Sequence, residues 1–424
     1  MKKTILHFIL GFNFFFPTFN VIFGDPRPGF MILNIITLLC IVFSFLIIKP
    51  IFDNLSIAFL LFCILWSFVI IFDIFLNGLL GFDVFIRDLF ELYRPVLYYA
   101  SFLFGYSLYK TNQNILSSLK LVILFSFVTI LFSFVCYIFF DQFGKQLLLF
   151  YTKEQNINAR RLTGTFNNPY DFSYIIILPF AYYYLKFIIQ GGVLYALVMM
   201  LCLISILFSQ SKAGIISLIS AGFLVFALVP FMFRLKSLGA LSYFRFWIAP
   251  FFIMFLFSLI LILYGDQITY LIDGLLAISE GTDSSTNTRL HQIQYVIDSI
   301  SDNSIYIFFG YGPNKQDVDI LENLFLLYFY RYGLFGILLI LVWIFYPVIV
   351  LIKILRETID VENKIIFLGC MIWFLCLIPS GLANNTVDQA RISFAYFFIA
   401  GVILHFGRNS SARIVNLSGT NTSQ

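Results

Sequence analysis

The sequence predicts an all-α polytopic membrane protein with about twelve transmembrane helices and two long loops on the outer side. Three observations carry that reading. Of the 424 residues, 61% are hydrophobic and only 11% charged, where a soluble domain is about one-quarter charged, so the polar side chains are too few to cover a water-facing surface. Apolar runs of roughly 18–22 residues recur, each long enough to cross a hydrocarbon core of about 30 Å as a helix. The runs do not alternate over about ten residues, as the strands of a transmembrane barrel would.

Taken in order, the expected spans are 5–23, 30–48, 55–76, 89–109, 119–140, 171–189, 192–209, 213–233, 246–264, 323–352, 365–380 and 391–406. The first begins just after Lys2 and Lys3 and has no small-residue cleavage site, so it reads as a retained span rather than a signal peptide. Basic residues in short connections orient the rest. With a cytoplasmic N-terminus, Lys2, Lys3, Lys49, Lys110, Lys120, Lys186, Arg234, Lys236, Arg245, Lys353, Arg356, Lys364, Arg408 and Arg413 all fall on the cytoplasmic side. Both termini are then cytoplasmic. No repeat or low-complexity linker divides the chain, so residues 1–424 form one transmembrane domain.

That topology puts two long segments outside, about 141–170 and 265–322. The second holds Asp266, Asp273, Glu280, Asp283, Arg289, His291, Asp298, Asp302, Lys315, Asp317, Asp319 and Glu322. Within it "SSTNTRLHQIQYVIDSI" offers helix caps followed by Leu290, Ile293, Ile297 and Ile300, a single apolar stripe expected to lie on the membrane or over the bundle mouth. "FFGYGPN" at 308–314 reads as a tight turn. All six cysteines fall inside spans, with no CxxC pair, and read as small packing residues. Only three histidines occur, and no metal site or cofactor is expected.

Several basic residues depart from the positive-inside pattern. Arg87, Arg94, Arg160, Arg161, Lys212, Arg289, Arg331 and Arg391 map to the outer half of the bundle or its outer loops. Charge at membrane depth is costly and usually faces a cavity, and converging guanidinium groups suit a phosphate or pyrophosphate, which arginine grips with two parallel hydrogen bonds. Each has a structural alternative. Arg94 can pair with Glu91, Arg331 with an intramembrane acid, Lys212 and Arg391 can reach for the interface, and Arg161 and Arg289 can be solvated loop residues. Asp73 is a candidate partner for one of the arginines, and Asp171 reads as the N-cap of the sixth span. Glu322 is either a cap at the mouth of the tenth span or a general base.

Four stretches, in order, resemble bacterial O-antigen ligase/polymerase-type membrane proteins. "RLTGTFNNPYDFSY" is similar to their R-x-x-G-x-F-x-N-P-N signature. "SQSKAG" at 209–214 resembles S-x-S-R-x-G, with Lys212 where arginine is commoner. "TRLHQIQYVIDSI…FFGYGPN" is similar to the arginine-led part of their large outer loop, and "ENLFLLYFYRYGLFG" to a segment that ligases begin with H-N. The agreement runs from about residue 155 to 340; the first five spans resemble the family only in hydropathy.

The resemblance implies a GT-C-like, metal-independent glycosyltransferase of the bacterial inner membrane, working at the periplasmic face. Its donor would be a glycan on undecaprenyl pyrophosphate, its acceptor another lipid-linked repeat unit (polymerase) or the lipid A core (ligase). Arg161 and Arg289 are then expected in catalysis with Glu322, and Arg160, Asn168, Lys212, Arg331, Arg94, Arg391 and His291 in pyrophosphate or glycan binding. Membrane lipid and a chain-length regulator protein are the expected partners, and nucleic acid is not. Glu322 in place of the ligase histidine tilts the reading toward a polymerase. The non-enzyme alternative is a lipid-linked oligosaccharide flippase or other transporter, which would show matching halves and charges near the midplane. A cell-division or spore-type lipid-linked polymerase is a further enzyme alternative.

Overall fold

The computed structural model describes residues 2–19, 22, 24, 26–79, 81, 85–108, 112–233, 239–265, 271–273, 276–277, 284–301, 305–313 and 321–419, and among these no strand occurs. The helices are α1 (Lys2–Phe15), α2 (Pro26–Ile48), α3 (Asn54–Leu79), α4 (Tyr93–Ser107), α5 (Asn112–Ile138), α6 (Pro169–Ile189), α7 (Val193–Phe208), α8 (Lys212–Phe233), α9 (Ala240–Tyr264), α10 (Ser284–Ser301), α11 (Leu324–Glu357), α12 (Val361–Leu375), α13 (Leu377–Ala383) and α14 (Ala390–Gly419). Short turns at Ile86–Leu89, Phe90–Leu92, Lys145–Leu149, Glu154–Asn158 and Ile305–Phe309 join them. Of the residues named above, Lys110, Arg234, Lys236, Asp266, Glu280, Asp283, Asp302, Asn314, Lys315, Asp317 and Asp319 lie outside the described set.

Each of the twelve expected spans is met by a helix, and nine are long and apolar enough to cross a membrane, as befits an integral membrane protein. The other three fall short: α1, α4 and α7 have 14, 15 and 16 residues. Local sequence stops them. Phe16 precedes Pro17, and the residue before a proline is steered out of the helical region. Pro95 is confined to the first turn of α4, where its missing N–H costs nothing. Two residues with left-handed backbones, Gly192 (φ 112°) and Gln210 (φ 52°), bracket α7.

Three elements form the centre. The apolar windows of α14, α6 and the α12–α13 unit are 100%, 83% and 78% buried, against 22% for α9, whose large apolar side chains face outward to lipid. Close backbone approach fixes α4 on α14: a side chain at Gly105 would sit 2.2 Å from the Phe398 carbonyl oxygen, and one at Gly401 2.2 Å from that of Phe102. Small residues at such crossings substitute for the hydrophobic drive that lipid does not supply.

The helix ends sort into two groups. At one end, Lys2 donates to the Leu108 carbonyl, the Ile51 N–H donates to Ser107 Oγ, and Asp53 holds both Tyr106 and Arg408. Burial pushes the Asp53 pKa up, but the Ser56 N–H, the Tyr106 hydroxyl and the Arg408 charge hold it below the ordinary carboxylate range. The opposite end carries the two long segments and is called the long-loop end below. Its first segment is helical rather than extended: Lys145–Leu149 and Glu154–Asn158 fold back over the bundle, and residues 162–167 are buried.

Within the second segment, α10 is rotated relative to the expected stripe. Val296 and Ile300 are buried, while Leu290, Ile293 and Ile297 are exposed. The inward face runs through Arg289, Gln292, Val296 and Ile300, because contacts to the mouth of α11 outweigh the apolar pattern. The helix α11 is itself broken at Gly333 (φ 57°, ψ −145°). The carbonyls of Tyr330 and Arg331 accept instead from the N–H groups of Tyr311 (2.7 Å) and Gly312 (2.8 Å). The described part, 308–313, of the turn expected at 308–314 is thus a backbone plug in a helix break.

Gly333→Ala is expected to remove most folded protein. A Cβ there would lie 2.4 Å from the Phe308 carbonyl carbon, and a left-handed non-glycine backbone adds about 1–3 kcal/mol of strain. Membrane yield and detergent melting temperature read this out; wild-type values for both would mean that the 305–313 segment moves freely of α11.

Candidate active site at the long-loop end

The stretch 160–172 is interlocked with 209–214. Arg161 Nε donates to the Ser209 carbonyl (3.1 Å), Nη2 to the Gln210 carbonyl (3.1 Å), and Nη1 to Asn156 Oδ1 (3.4 Å). These carbonyls close α7, where unsatisfied acceptors and the negative end of the helix dipole favour a cation. Gln210 Nε2 returns a bond to the Ala159 carbonyl at 3.2 Å, the Leu162 N–H donates to Phe208 at 3.0 Å, and the Ser173 and Ser209 hydroxyls pair at 2.7 Å. Arg160 and Gln210 both hold left-handed backbones (φ 47° and 52°), strain concentrated in the two motif loops.

Asn168, rather than Asp171, is the N-cap of α6. Asp171 lies in the first turn, fully buried, with one carboxylate oxygen 3.4 Å from Asn168 Nδ2 and the other unpartnered. Proline at the start of α6 explains the shift, since its fixed φ suits the first helical position and places the cap one residue earlier.

The mouth of α11 forms the facing wall. Asn323, not Glu322, caps that helix by accepting from the Leu326 N–H at 3.0 Å, while its amide donates to the Leu382 carbonyl. Glu322 is therefore available to the site, and its carboxylate meets Arg289 Nη2 at 3.1 Å. Gln292, one turn along α10, accepts from the Glu322 N–H at 3.1 Å. Arg289 Nε is buried without a hydrogen-bond partner. The start of α10 and the mouth of α11 thus bring Arg289 and Glu322 together from separate stretches of chain.

The other basic residues divide differently. Arg94 Nη1 meets Glu91 Oε1 at 2.8 Å and Asp388 Oδ2 at 2.6 Å, and Arg331 Nη1 reaches the same Glu91 oxygen at 3.2 Å. Tyr332 donates to Glu91 and Tyr328 to Asp388. Two arginines and two acids thus form a neutral, buried network. Arg391 is fully buried; it donates to the Asn13 and Phe16 carbonyls that close α1 and lies over the Tyr151 and Phe166 rings. It is therefore not an interfacial cation. Arg160 is exposed at the surface, with its guanidinium 5.0 Å over the Phe140 ring and 4.0 Å from Asp141. Lys212 is half-buried at the start of α8, and His291 is exposed on α10, two residues past Arg289 and so turned away from Glu322. Asp73 pairs with none of the described arginines. It is buried beside Gly312 with both carboxylate oxygens unpartnered.

Sequence reasoning missed Asp388 because nothing in the sequence distinguishes it from a loop acid.

These features define a polytopic α-helical membrane protein whose polar site is built at one end from two motif loops and the mouth of a broken helix. Residues 197–341 match the model of a protein family described as O-antigen ligase. The matched stretch is about a third of the chain and runs from α7 into α11, taking in "SQSKAG", Arg289, the 310–312 turn and Glu322. The match is consistent with a member of the O-antigen ligase/polymerase family and supports ligase- or polymerase-like function. No curated protein and no solved structure matches the chain.

Proposed function

We propose that the chain is a polysaccharide polymerase of the bacterial inner membrane, with both termini cytoplasmic and the long-loop end periplasmic. It moves a growing glycan from undecaprenyl pyrophosphate onto a lipid-linked repeat unit. The carrying observation is the Arg289–Glu322 ion pair at the mouth of α11, with a buried Arg289 donor awaiting an acceptor. In this reaction an acceptor hydroxyl attacks the anomeric carbon and the bond to the diphosphate oxygen breaks. The bonding pair leaves with undecaprenyl pyrophosphate, and the hydroxyl proton passes to Glu322. Guanidinium groups fixed before the reaction stabilise the growing charge, the role that a metal ion fills elsewhere. Before substrate binds, Arg289 holds Glu322; a diphosphate competing for Arg289 frees the carboxylate to accept a proton.

Glu322 stands where the ligase pattern has histidine, which favours the polymerase, whereas the description of the matched family favours a ligase. A deletion strain separates them by its lipopolysaccharide bands. Core bearing one repeat unit supports a polymerase, and a chain-length regulator then becomes the expected partner. Core alone with accumulating lipid-linked polymer means ligase, and loss of every periplasmic repeat unit means flippase. Glu322→Gln in the complemented strain is expected to lower chain extension by about 100–10,000-fold, the usual worth of a general base, with the protein still in the membrane. Normal-length polysaccharide in that strain would exclude Glu322 as the base.

A further inference from the structure

The long-loop end of α3 faces the 310–312 plug with oxygens that no described group meets. Asp73 is 1% exposed and Asn77, one turn further along, 7%. Both side chains come up against Gly312: a Cβ there would lie 3.0 Å from Asp73 Cβ and 3.2 Å from Asn77 Nδ2. Asn77 Nδ2 donates to the Tyr311 carbonyl. Asn77 Oδ1 and both carboxylate oxygens of Asp73 are buried without a hydrogen-bond partner. Beside them Phe72 packs on Phe309, with ring centroids 5.1 Å apart.

An ionised carboxylate taken out of water without a counter-charge is very costly, so such a group holds a cation or a proton. A proton passed between Asp73 and Asn77 would satisfy two of the three oxygens and leave the third bare. A cation can take all three. Oxygen-only donors suit hard ions, and a single carboxylate balances a single positive charge. The break in α11 adds to this. Its Arg331 carbonyl accepts from the Gly312 N–H at 2.8 Å, and carbonyls exposed by a helix break are common ligands of such ions in membrane proteins.

We propose that Asp73 and Asn77 hold an alkali-metal cation between α3 and the 310–312 plug, with water or backbone carbonyls completing its shell. The ion neutralises Asp73 and ties α3 to the plug, and through the plug to the break at Gly333. It takes no part in glycan transfer, so the site stands or falls independently of the transferase reading.

The test is a melting curve of the full-length protein in detergent, in choline chloride and then in sodium, potassium or magnesium chloride at matched ionic strength and constant pH. Sodium or potassium is expected to raise the wild-type melting temperature by a few degrees, levelling off as the site fills. Whichever of the two acts at the lower concentration is the ion selected. Asp73→Asn removes the charge and keeps the shape. It should lose the alkali-ion shift and melt above wild type in choline, because no carboxylate is left stranded. Asn77→Ala should raise the half-saturating concentration several-fold. If Asp73→Asn does not fold, wild type alone still decides. Equal melting in choline, sodium and potassium overturns the proposal, as does a shift given by magnesium and not by the alkali ions. A folded Asp73→Asn that keeps the full shift places the ion elsewhere and overturns it as well.

Discussion

Arg289→Ala leaves the protein in the membrane at its wild-type level and lowers chain extension by about two to three orders of magnitude, the cost of deleting one fixed donor to a developing oxyanion, roughly 3–4 kcal/mol. The expectation of intact folding comes from its surroundings. Arg289 is one-quarter exposed, and its ion-pair partner Glu322 is 40% exposed, so the glutamate left behind remains hydrated and the pair itself adds little stability. Arg161→Ala is expected to behave otherwise. Its guanidinium closes the end of α7 and ties 160–162 to 208–210, so its loss lowers both activity and the amount of protein. Initial transfer rates normalised to membrane-embedded protein separate the two outcomes. Arg289→Lys should retain part of the rate, because a point charge replaces a planar fork without its two-bond grip. A fully active Arg289→Ala enzyme would remove this residue from the site.

Glu91→Ala carries the second large effect, on stability rather than chemistry. Glu91 is wholly buried and accepts from Arg94, Arg331 and Tyr332. Removing it leaves Arg331 without a counter-ion and Arg94 with Asp388 alone. Breaking a buried pair by deleting one partner typically costs about 3–5 kcal/mol, because the remaining charge stays desolvated. The expected result is a large loss of membrane-embedded protein and a strongly lowered melting temperature in detergent. Replacing both members, Glu91→Gln with Arg331→Met, should regain a substantial part of that loss, since a pair removed together strands no charge. A double variant no more stable than Glu91→Ala would show that the network does more than neutralise itself.

Much of the fold was legible because lipid imposes a simple rule: backbone groups must be satisfied within each segment, so every span writes itself as an apolar run. All twelve runs are helices. Lengths were less legible at α1, α4 and α7, where Pro17, Pro95 and the Gly192 and Gln210 backbones stop or confine helices inside apolar sequence. The rotation of α10 was hidden for a related reason. An apolar stripe shows that a helix has a greasy side, but not whether protein or lipid lies against it.

The outer arginines were visible as a group, and their sorting was not. Arg94 and Arg331 are neutralised by acids 3 and 240 positions away in sequence, and Arg391 by backbone carbonyls of α1, a partner type with no sequence signature. Arg289 and Glu322 come together only because Gln292 and the 310–312 plug set α10 against the mouth of α11. Residue type shows that a charge is expensive; its partners, assembled from distant stretches, decide whether the expense is structural or functional.

The three short helices bear on the thickness of the bilayer. At about 1.5 Å per residue, α1, α4 and α7 reach only about 21–24 Å, some 6–9 Å less than a hydrocarbon core of about 30 Å. Each has its long-loop end beside the polar groups already described: Phe16 at Arg391, Arg94 at Glu91, Ser209 at Arg161. At those ends, however, protein and not lipid covers the helices: Leu10 and Phe14 of α1, Leu97 and Tyr98 of α4, and Ile206 and Leu207 of α7 are all buried. The missing length is made up by neighbouring protein, so no lipid has to thin to follow these helices.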